Sequence, residues 1–383
     1  MLILQQLFSG IQVHNLSDSD DTRVLQKALH HPSPHIDVGH AGTAMRFLTA
    51  YFAVQEGKTT RLSGSKRMHQ RPIKALVDAL NSLGADIQYI EKEGFPPLLI
   101  HGKKISEYEV RLPARNSSQY VSALILIAPS LPNGLVIHLE GAITSKPYID
   151  MSLSLLDEMG VESVFKKDII SIFPAKKIQT KTFQVEPDWS SASYFYSLAA
   201  LIPGTEITLP GFRKQSLQGD KKLADYYVDF GVSTEFTPTG IRIKSQRKSL
   251  PKHIAFDLQD TPDLAQTLAV TCLGLQINVS LTGLHTLKIK ETDRLQALKN
   301  ELEKWGAEVI IDKDSLRIFT EKISFDKFSH PITVNTYDDH RMAMAFAPLA
   351  CKSPLIIENS TVVSKSYKKF WEDFENILKT GTA

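Results

Sequence analysis

Tyr148-Ile-Asp-Met-Ser-Leu-Ser-Leu-Leu-Asp-Glu-Met-Gly-Val161 places apolar residues three and four apart and ends in a large apolar residue, a glycine and a branched one. That spacing predicts a helix with one buried face. Gly160 stands where the chain leaves such a helix in the left-handed conformation. Two strand-like runs follow, at 163–165 and 169–173. The pattern recurs at 72–83 before Gly84-Ala85, with runs at 87–90 and 98–100. It recurs at 221–230 before Gly231-Val232, with a run at 241–243, and at 292–305 before Gly306-Ala307, with runs at 309–311 and 316–319. The four glycines are 76, 71 and 75 residues apart. A period this regular signals repeated supersecondary units.

A second helix type lies between these copies, at 43–53, 118–128, 191–201, 262–275 and 340–350. Its members are apolar on nearly every face, which predicts burial inside a core. Each follows small or polar residues suited to N-caps: Gly42-Thr43, Ser117-Ser118, Ser190-Ser191, Thr261-Pro262-Asp263 and Asp338-Asp339. Residues 1–8 resemble a sixth member with its start missing. Strands alternating with two helix classes predict an α/β fold, with buried helices filling each domain and amphipathic ones covering it. The 383 residues suit two domains. The boundary is expected near 184–188, with Thr180-Lys-Thr182 as a linker, giving an N-terminal half of 1–186 and a C-terminal half of 187–383.

Composition removes several classes of function. A net charge of +2 supplies no basic field for nucleic acid. Two cysteines exclude a disulfide scaffold and a cysteine-based zinc site. No run of about 18 apolar residues exists to span a membrane. Gln5-Gln6 interrupts the apolar start and no basic region precedes it, so no secretory signal is read and the cytoplasm is expected. There is no dinucleotide fingerprint, no Walker loop and no zinc-protease motif. Cys272 lies in a buried-type helix and Cys351 ends another, so thiol nucleophilic catalysis is not expected. No metal or cofactor is expected.

The starts of buried helices expose N–H groups and partial positive charge, and several facing one cleft would bind anions. A single Ser-Ser pair is explained by plain capping. Cations at helix starts are harder to explain, because the dipole disfavours them. Arg71 precedes Pro72, while Arg294 and Arg341 lie in first turns. Their placement suggests that an anion compensates. Lys146 and Lys365 lie in short polar loops. In Lys290-Glu-Thr-Asp-Arg294, Glu291 suits a general acid or base tuned by its basic neighbours, or a first-turn helix stabiliser. Asp263 reads either as a helix stabiliser or as a buried base. His340, between Asp339 and Arg341, suits a proton shuttle or a structural role.

Seven motifs, in order, closely resemble the 5-enolpyruvylshikimate-3-phosphate synthases: His40-Ala-Gly-Thr-Ala-Met-Arg46, Gln70-Arg-Pro72, Ser117-Ser-Gln119, Ser145-Lys-Pro-Tyr148, Ser190-Ser-Ala-Ser-Tyr194, Lys290-Glu-Thr-Asp-Arg294 and Asp339-His-Arg-Met342. The resemblance covers essentially the whole chain. It implies two similar domains of repeated βαβαββ units around buried parallel helices, and a cleft that closes on substrate. It implies transfer of the enolpyruvyl group of phosphoenolpyruvate to the 5-hydroxyl of shikimate 3-phosphate, by addition and then elimination, in a monomer. By the same resemblance Ser117, Ser118, Gln119, Ser145, Tyr148 and Lys290 hold shikimate 3-phosphate. Gly42, Arg71, Gln119, Arg294, Arg341 and Lys365 hold phosphoenolpyruvate. Glu291 is the implied acid and Asp263 the implied base.

His40 and Phe47 depart from the family's Asn and Pro beside the phosphoenolpyruvate pocket. The family's opening strand and its Gly-Ser-Lys-Ser and Ser-Asn-Arg segment have no counterpart at the start of this chain. An internal Met taken as the start is expected, and with it impaired activity. Two alternatives stand beside this reading. One is an enolpyruvyl transferase acting on UDP-N-acetylglucosamine, which usually carries a reactive loop cysteine. The other is a non-catalytic anion-binding pseudoenzyme.

Overall fold

Gly84, Gly160, Gly231 and Gly306 take φ values of +101°, +77°, +79° and +84°, the left-handed exit that the repeat predicted. The computed structural model describes residues 1–380 apart from Pro32, Asn116, Lys177, Gln179, Arg247, Lys248 and Ser329. The glycines end the covering helices Lys74–Ser82 and Lys146–Glu158, and Arg294–Leu302 with its short continuation Glu303–Trp305. The third copy is not one helix. It is three successive turns, Gly219–Lys222, Leu223–Tyr226 and Tyr227–Phe230. Tyr226, Tyr227 and Val228 at its middle are modest helix formers.

The chain forms two compact units, Met1–Val185 and Glu186–Ala383. Two complete βαβαββ repeats lie in the first. One runs through strand His35–Asp37, buried helix Gly42–Ala53, strand Thr59–Ser63, covering helix Lys74–Ser82 and the strands Asp86–Tyr89 and Leu98–His101. The first two strands are parallel, and Leu98–His101 inserts antiparallel between Thr59–Ser63 and Asp86–Tyr89. The other runs from Glu109–Pro113 through the buried helix Ser118–Ile127 to Ile169–Ile172, with the same strand order. The second unit holds a third complete repeat, from His253–Asp257 through Ala265–Leu275 to Leu316–Phe319. Leu135, Ile137 and Leu139 are buried in alternation, so each sheet turns one face to the helices.

Five helices are buried on nearly all sides: Gly42–Ala53 and Ser118–Ile127 in the first unit, and Trp189–Leu201, Ala265–Leu275 and His340–Phe346 in the second. Leu2–Leu7 packs against Ser118–Ile127, with Leu2, Ile3 and Leu4 buried. No described helix is long and apolar enough to cross a membrane.

Two features differ from the sequence reading. Thr180-Lys-Thr182 is not a linker, because Lys181–Gln184 is a strand paired in parallel with Ile11–His14, and Phe183 is buried. A helix at Asp20–His30, with the Ser19 hydroxyl accepting from Thr22 N, covers the first unit where none was expected. It ends at His31 without the glycine that marks the other covering helices.

A Cβ added at Gly160 or Gly306 meets nothing within 4 Å. The cost of Gly160→Ala or Gly306→Ala therefore comes from the left-handed backbone alone. Each should destabilise by about 1–2 kcal/mol. Urea denaturation checks this, and an unchanged midpoint would mean that the turn can reshape.

Candidate active site

In the first unit, the helix Gly42–Ala53 starts without a side-chain cap, since Ala41 precedes it. Gly42-Thr43 is thus not the polar cap expected. Arg71 does not stand at the start of the covering helix, which begins at Lys74. It ends the short turn Met68–Gln70 and lies against Gly42, where a methyl group would come within 2.5 Å of Arg71 Nη1. Only glycine lets that guanidinium sit so close to the helix start. Arg46, buried in the same helix, donates from Nη1 to Gly42 O at 3.0 Å and from Nη2 to Pro72 O at 3.4 Å. Tyr120 Oη donates to Pro72 O as well. The Arg71-Pro72 corner is therefore pinned from two buried helices.

The start of the second buried helix joins this cluster. Ser117 Oγ accepts from Gln119 N at 3.2 Å, which is a plain cap. Gln119 Nε2 reaches across to Thr43 Oγ1 at 3.0 Å. Ser117, Ser118, Gln119, Gly42 and Arg71 thus share one end of the two helices. Ser145 precedes the helix Lys146–Glu158 in the left-handed region, at φ +53°, which is unfavourable for a side chain with a Cβ. Tyr148 O accepts from Ser152 Oγ at 2.9 Å and from Ser122 Oγ at 3.3 Å, tying this start to the Ser118 helix. Lys146 begins the helix and pairs with Asp150 at 2.6 Å, so it does not lie in a loop. His40 Nδ1 lies 3.2 Å from Ser65 Oγ, and Phe47 is half-buried.

The second unit gathers the starts of two buried helices and of the covering helix Arg294–Leu302 around Arg294, which is 1% exposed. Its Nε donates to Asp339 Oδ2 at 2.6 Å, Nη1 to Asp263 Oδ1 at 3.0 Å and Nη2 to Glu291 Oε2 at 2.9 Å. Asp339 also caps the helix His340–Phe346 by accepting from Arg341 N at 2.9 Å. Asp188, rather than Ser190, caps Trp189–Leu201. Arg341 Nη2 donates to Asp263 Oδ2 at 3.0 Å and to Ser190 Oγ at 3.4 Å. Lys290 Nζ lies 3.5 Å from Asp263, and Lys365 Nζ lies 3.3 Å from Glu291.

These contacts answer part of the argument from misplaced arginines. The first-turn cations Arg294 and Arg341 are balanced by the protein's own carboxylates. Burial disfavours both guanidinium charges, yet the surrounding carboxylates outweigh it and keep both groups protonated. Burial also pushes Asp263 upward, but Arg341, Lys290 and Arg294 prevail and hold it well below the usual carboxylate range. Burial, together with Lys365 and Arg341, pushes His340 well below its ordinary value, which favours the neutral imidazole. Burial raises both thiols, so neither Cys272 nor Cys351 is an activated nucleophile. No cluster of metal ligands occurs among the described residues.

Three members of the second site were not legible as such. Asp339 reads as a cap and serves as one, but its partner Arg294 lies 45 residues away. Ser190 reads as a cap and instead bonds Asp220 and Arg341. Asp220, in a Gln-Gly-Asp turn, looks like a surface residue and is 2% exposed.

The comparisons with known proteins agree along the whole chain. A model of the family EPSP synthase (3-phosphoshikimate 1-carboxyvinyltransferase) matches residues 1–374. A 3-phosphoshikimate 1-carboxyvinyltransferase of Bacteroides fragilis (strain YCH46) is 45% identical over 374 residues, covering 97% of this chain and 90% of the relative. One from Histophilus somni (strain 2336) is 34% identical over 410 residues, covering 99% and 93%. The solved EPSP synthase of Acinetobacter baumannii, at 20% identity, has a TM-score of 0.76 over 98% of this chain and 93% of its own, a likeness of fold.

Removing one partner of a buried ion pair leaves the other charge uncompensated. Asp339→Ala should therefore cost about 3–5 kcal/mol in urea denaturation. A loss below about 1 kcal/mol would mean that Arg294 is satisfied without it. Asp263 is depressed in the folded state, so its contribution to stability is complete above about pH 4 and is lost as the pH falls below that. Asp263→Asn should consequently lose less Tm than the wild type between pH 5 and pH 3. Parallel Tm profiles would refute the linkage.

Proposed function

The chain belongs to the EPSP synthase family, and we propose that its two clusters of helix starts carry separate parts of that family's reaction. The enzyme is a transferase that moves the enolpyruvyl group of phosphoenolpyruvate to shikimate 3-phosphate and releases phosphate. Both substrates are small anions, which suits helix starts lined with cations. The alternatives with a UDP-sugar acceptor, or without catalysis, are not favoured.

The observation that carries the assignment of roles is the placement of two carboxylates among four cations. Asp263 is held by Arg294, Arg341 and Lys290, and Glu291 by Arg294 and Lys365. We assign Arg294, Arg341 and Lys365 to the carboxylate and phosphate of phosphoenolpyruvate. Gly42, Arg71 and Gln119 provide a further anion seat for the same substrate. Ser117, Ser118, Gln119, Ser145 and Tyr148 suit the phosphate and hydroxyls of shikimate 3-phosphate. Lys290 is assigned to the same ligand.

The chemistry follows from a change of counter-ions. An incoming substrate anion competes with Asp263 and Glu291 for the cations that hold them. Once released, Asp263 accepts the proton of the 5-hydroxyl as that oxygen bonds to C2 of phosphoenolpyruvate. Glu291, freed from Arg294 and Lys365, takes up a proton from solvent and delivers it to the methylene carbon, giving a tetrahedral ketal phosphate. Return of a methyl proton to the Glu291 carboxylate and departure of phosphate then restore the double bond. Fixed charges act by positioning and by electrostatic stabilisation. We place the enzyme in the cytoplasm, as a monomer.

Phosphate release from phosphoenolpyruvate, with and without shikimate 3-phosphate, tests the reaction. Release that does not require shikimate 3-phosphate would exclude it as acceptor. Glu291→Gln should lower kcat by about 10²–10⁴-fold with little change in KM. Turnover near the wild-type value would remove Glu291 from the acid role.

A further inference from the structure

Asp220 is a buried carboxylate beside the second site that the proposed mechanism does not use. It lies on the short turn Gly219–Lys222 and is 2% exposed. The Ser190 hydroxyl donates to Asp220 Oδ2. Asp220 Oδ1 is buried with no hydrogen-bond partner among the described residues. Ser190 Oγ accepts from Arg341 Nη2 at 3.4 Å, and the same Nη2 donates to Asp263 Oδ2 at 3.0 Å. A continuous line therefore runs from Asp220 through one hydroxyl to Arg341 and on to Asp263.

We propose that Asp220 is a positioning residue for Arg341: through the Ser190 hydroxyl it sets how firmly Arg341 is held, and so how readily that guanidinium turns to an anionic substrate. The inference rests on the assignment of Arg341 to phosphoenolpyruvate made above.

Hydroxyl orientation links the two groups. An ionised carboxylate only accepts, so Ser190 must give its one proton to Asp220 and present its lone pairs to Arg341. A protonated Asp220 can donate to Ser190 instead. The hydroxyl proton then points elsewhere, the oxygen is a poorer acceptor, and Arg341 loses a nearby negative charge. Burial and the negative charge of Asp263 raise the Asp220 carboxyl to about 7, against the downward pull of the Ser190 hydrogen bond and Arg341. Both forms are thus accessible near neutrality.

The charges around Asp220 come from every side. Asp188 lies at the start of Trp189–Leu201, Asp263 on the turn Pro262–Leu264, and Arg341 on the helix His340–Phe346. Glu186 accepts from Gln218, which precedes the turn. On the turn itself, Lys222 pairs with Asp260 at 3.4 Å and Lys221 lies over the Phe236 ring at 5.7 Å. Two carboxylates, Asp263 and Asp188, thus face Asp220 against one guanidinium, which opposes a further negative charge.

The test uses Asp220→Asn, which keeps the shape and removes the titration. The sign follows from linkage. A carboxyl raised in the folded state contributes stability at low pH that is lost as the pH rises from its unfolded value toward about 7. Asp220→Asn should therefore gain Tm relative to the wild type as the pH goes from 5 to 8. Over pH 6.5–8.5 the wild-type KM for phosphoenolpyruvate should rise about three- to tenfold more than that of Asp220→Asn, since one unit of pKa coupling is tenfold in affinity. Ser190→Ala leaves the carboxyl in place but breaks the line, and its KM profile should match that of Asp220→Asn. A Tm difference independent of pH, or wild-type-like KM profiles in both variants, would overturn the proposal. Arg341→Gln distinguishes the underlying assignment: an unchanged KM for phosphoenolpyruvate in that variant would refute Arg341 as a ligand, whatever Asp220 does.

Discussion

A guanidinium with 1% of its surface exposed must be neutralised where it stands, and Arg294 imposes that demand on the whole second unit. Its three carboxylate partners come from three different segments: Asp339 before one buried helix, Asp263 before another, and Glu291 from the loop that leads into its own. Meeting one charge therefore fixes three chain segments at once. The arrangement then spreads outward, because Asp263 draws in Arg341 and Lys290, and Glu291 draws in Lys365. Desolvation makes each of these groups costly alone, and only the set is tolerable. A substrate anion entering such a set does not meet idle cations. On the roles proposed above, it displaces carboxylates, and the displaced carboxylates are the groups that then carry protons.

The first unit solves its problem differently. Its cluster consists of hydroxyls, an amide, a bare helix start and two arginines, one of which is bonded to backbone carbonyls. Apart from the arginines these are neutral donors, and they offer no acid or base. The two clusters thus differ in what their helix starts contain: Asp263, Glu291 and Asp339 lie at the starts in the second unit, and no carboxylate takes part in the cluster of the first.

Much of this was legible in the sequence because it is local. The glycines at 84, 160, 231 and 306 announce a backbone that only the left-handed turn satisfies, and all four adopt it. Helices apolar on every face have nowhere to go but the interior. What escaped the reading is non-local or unmarked. Lys181–Gln184 looks like a linker until Ile11–His14 is placed beside it. Asp20–His30 lacks the glycine that betrays its counterparts. The motif residues of the candidate site fall into their clusters, but which carboxylate meets which arginine depends on contacts spanning 31 to 78 residues. Asp220 was invisible because nothing in Gln218-Gly-Asp220 distinguishes a buried turn from a surface one.

The parallel pairing of Ile11–His14 with Lys181–Gln184 also bears on how the first unit is assembled during synthesis. The two strands are 170 residues apart in sequence, and closing a flexible loop of that length costs about 4–5 kcal/mol. The two intervening βαβαββ repeats close far shorter loops, at a smaller entropic cost. At ribosomal rates, an N-terminal strand waits about 10–40 s for its partner to emerge. During that interval Ile11–His14 is an unpaired strand with open hydrogen-bonding groups, as exposed to wrong neighbours as any sheet edge. The last strand of the unit thus acts as a latch that shields the first, and the nascent chain is most vulnerable just before the latch arrives.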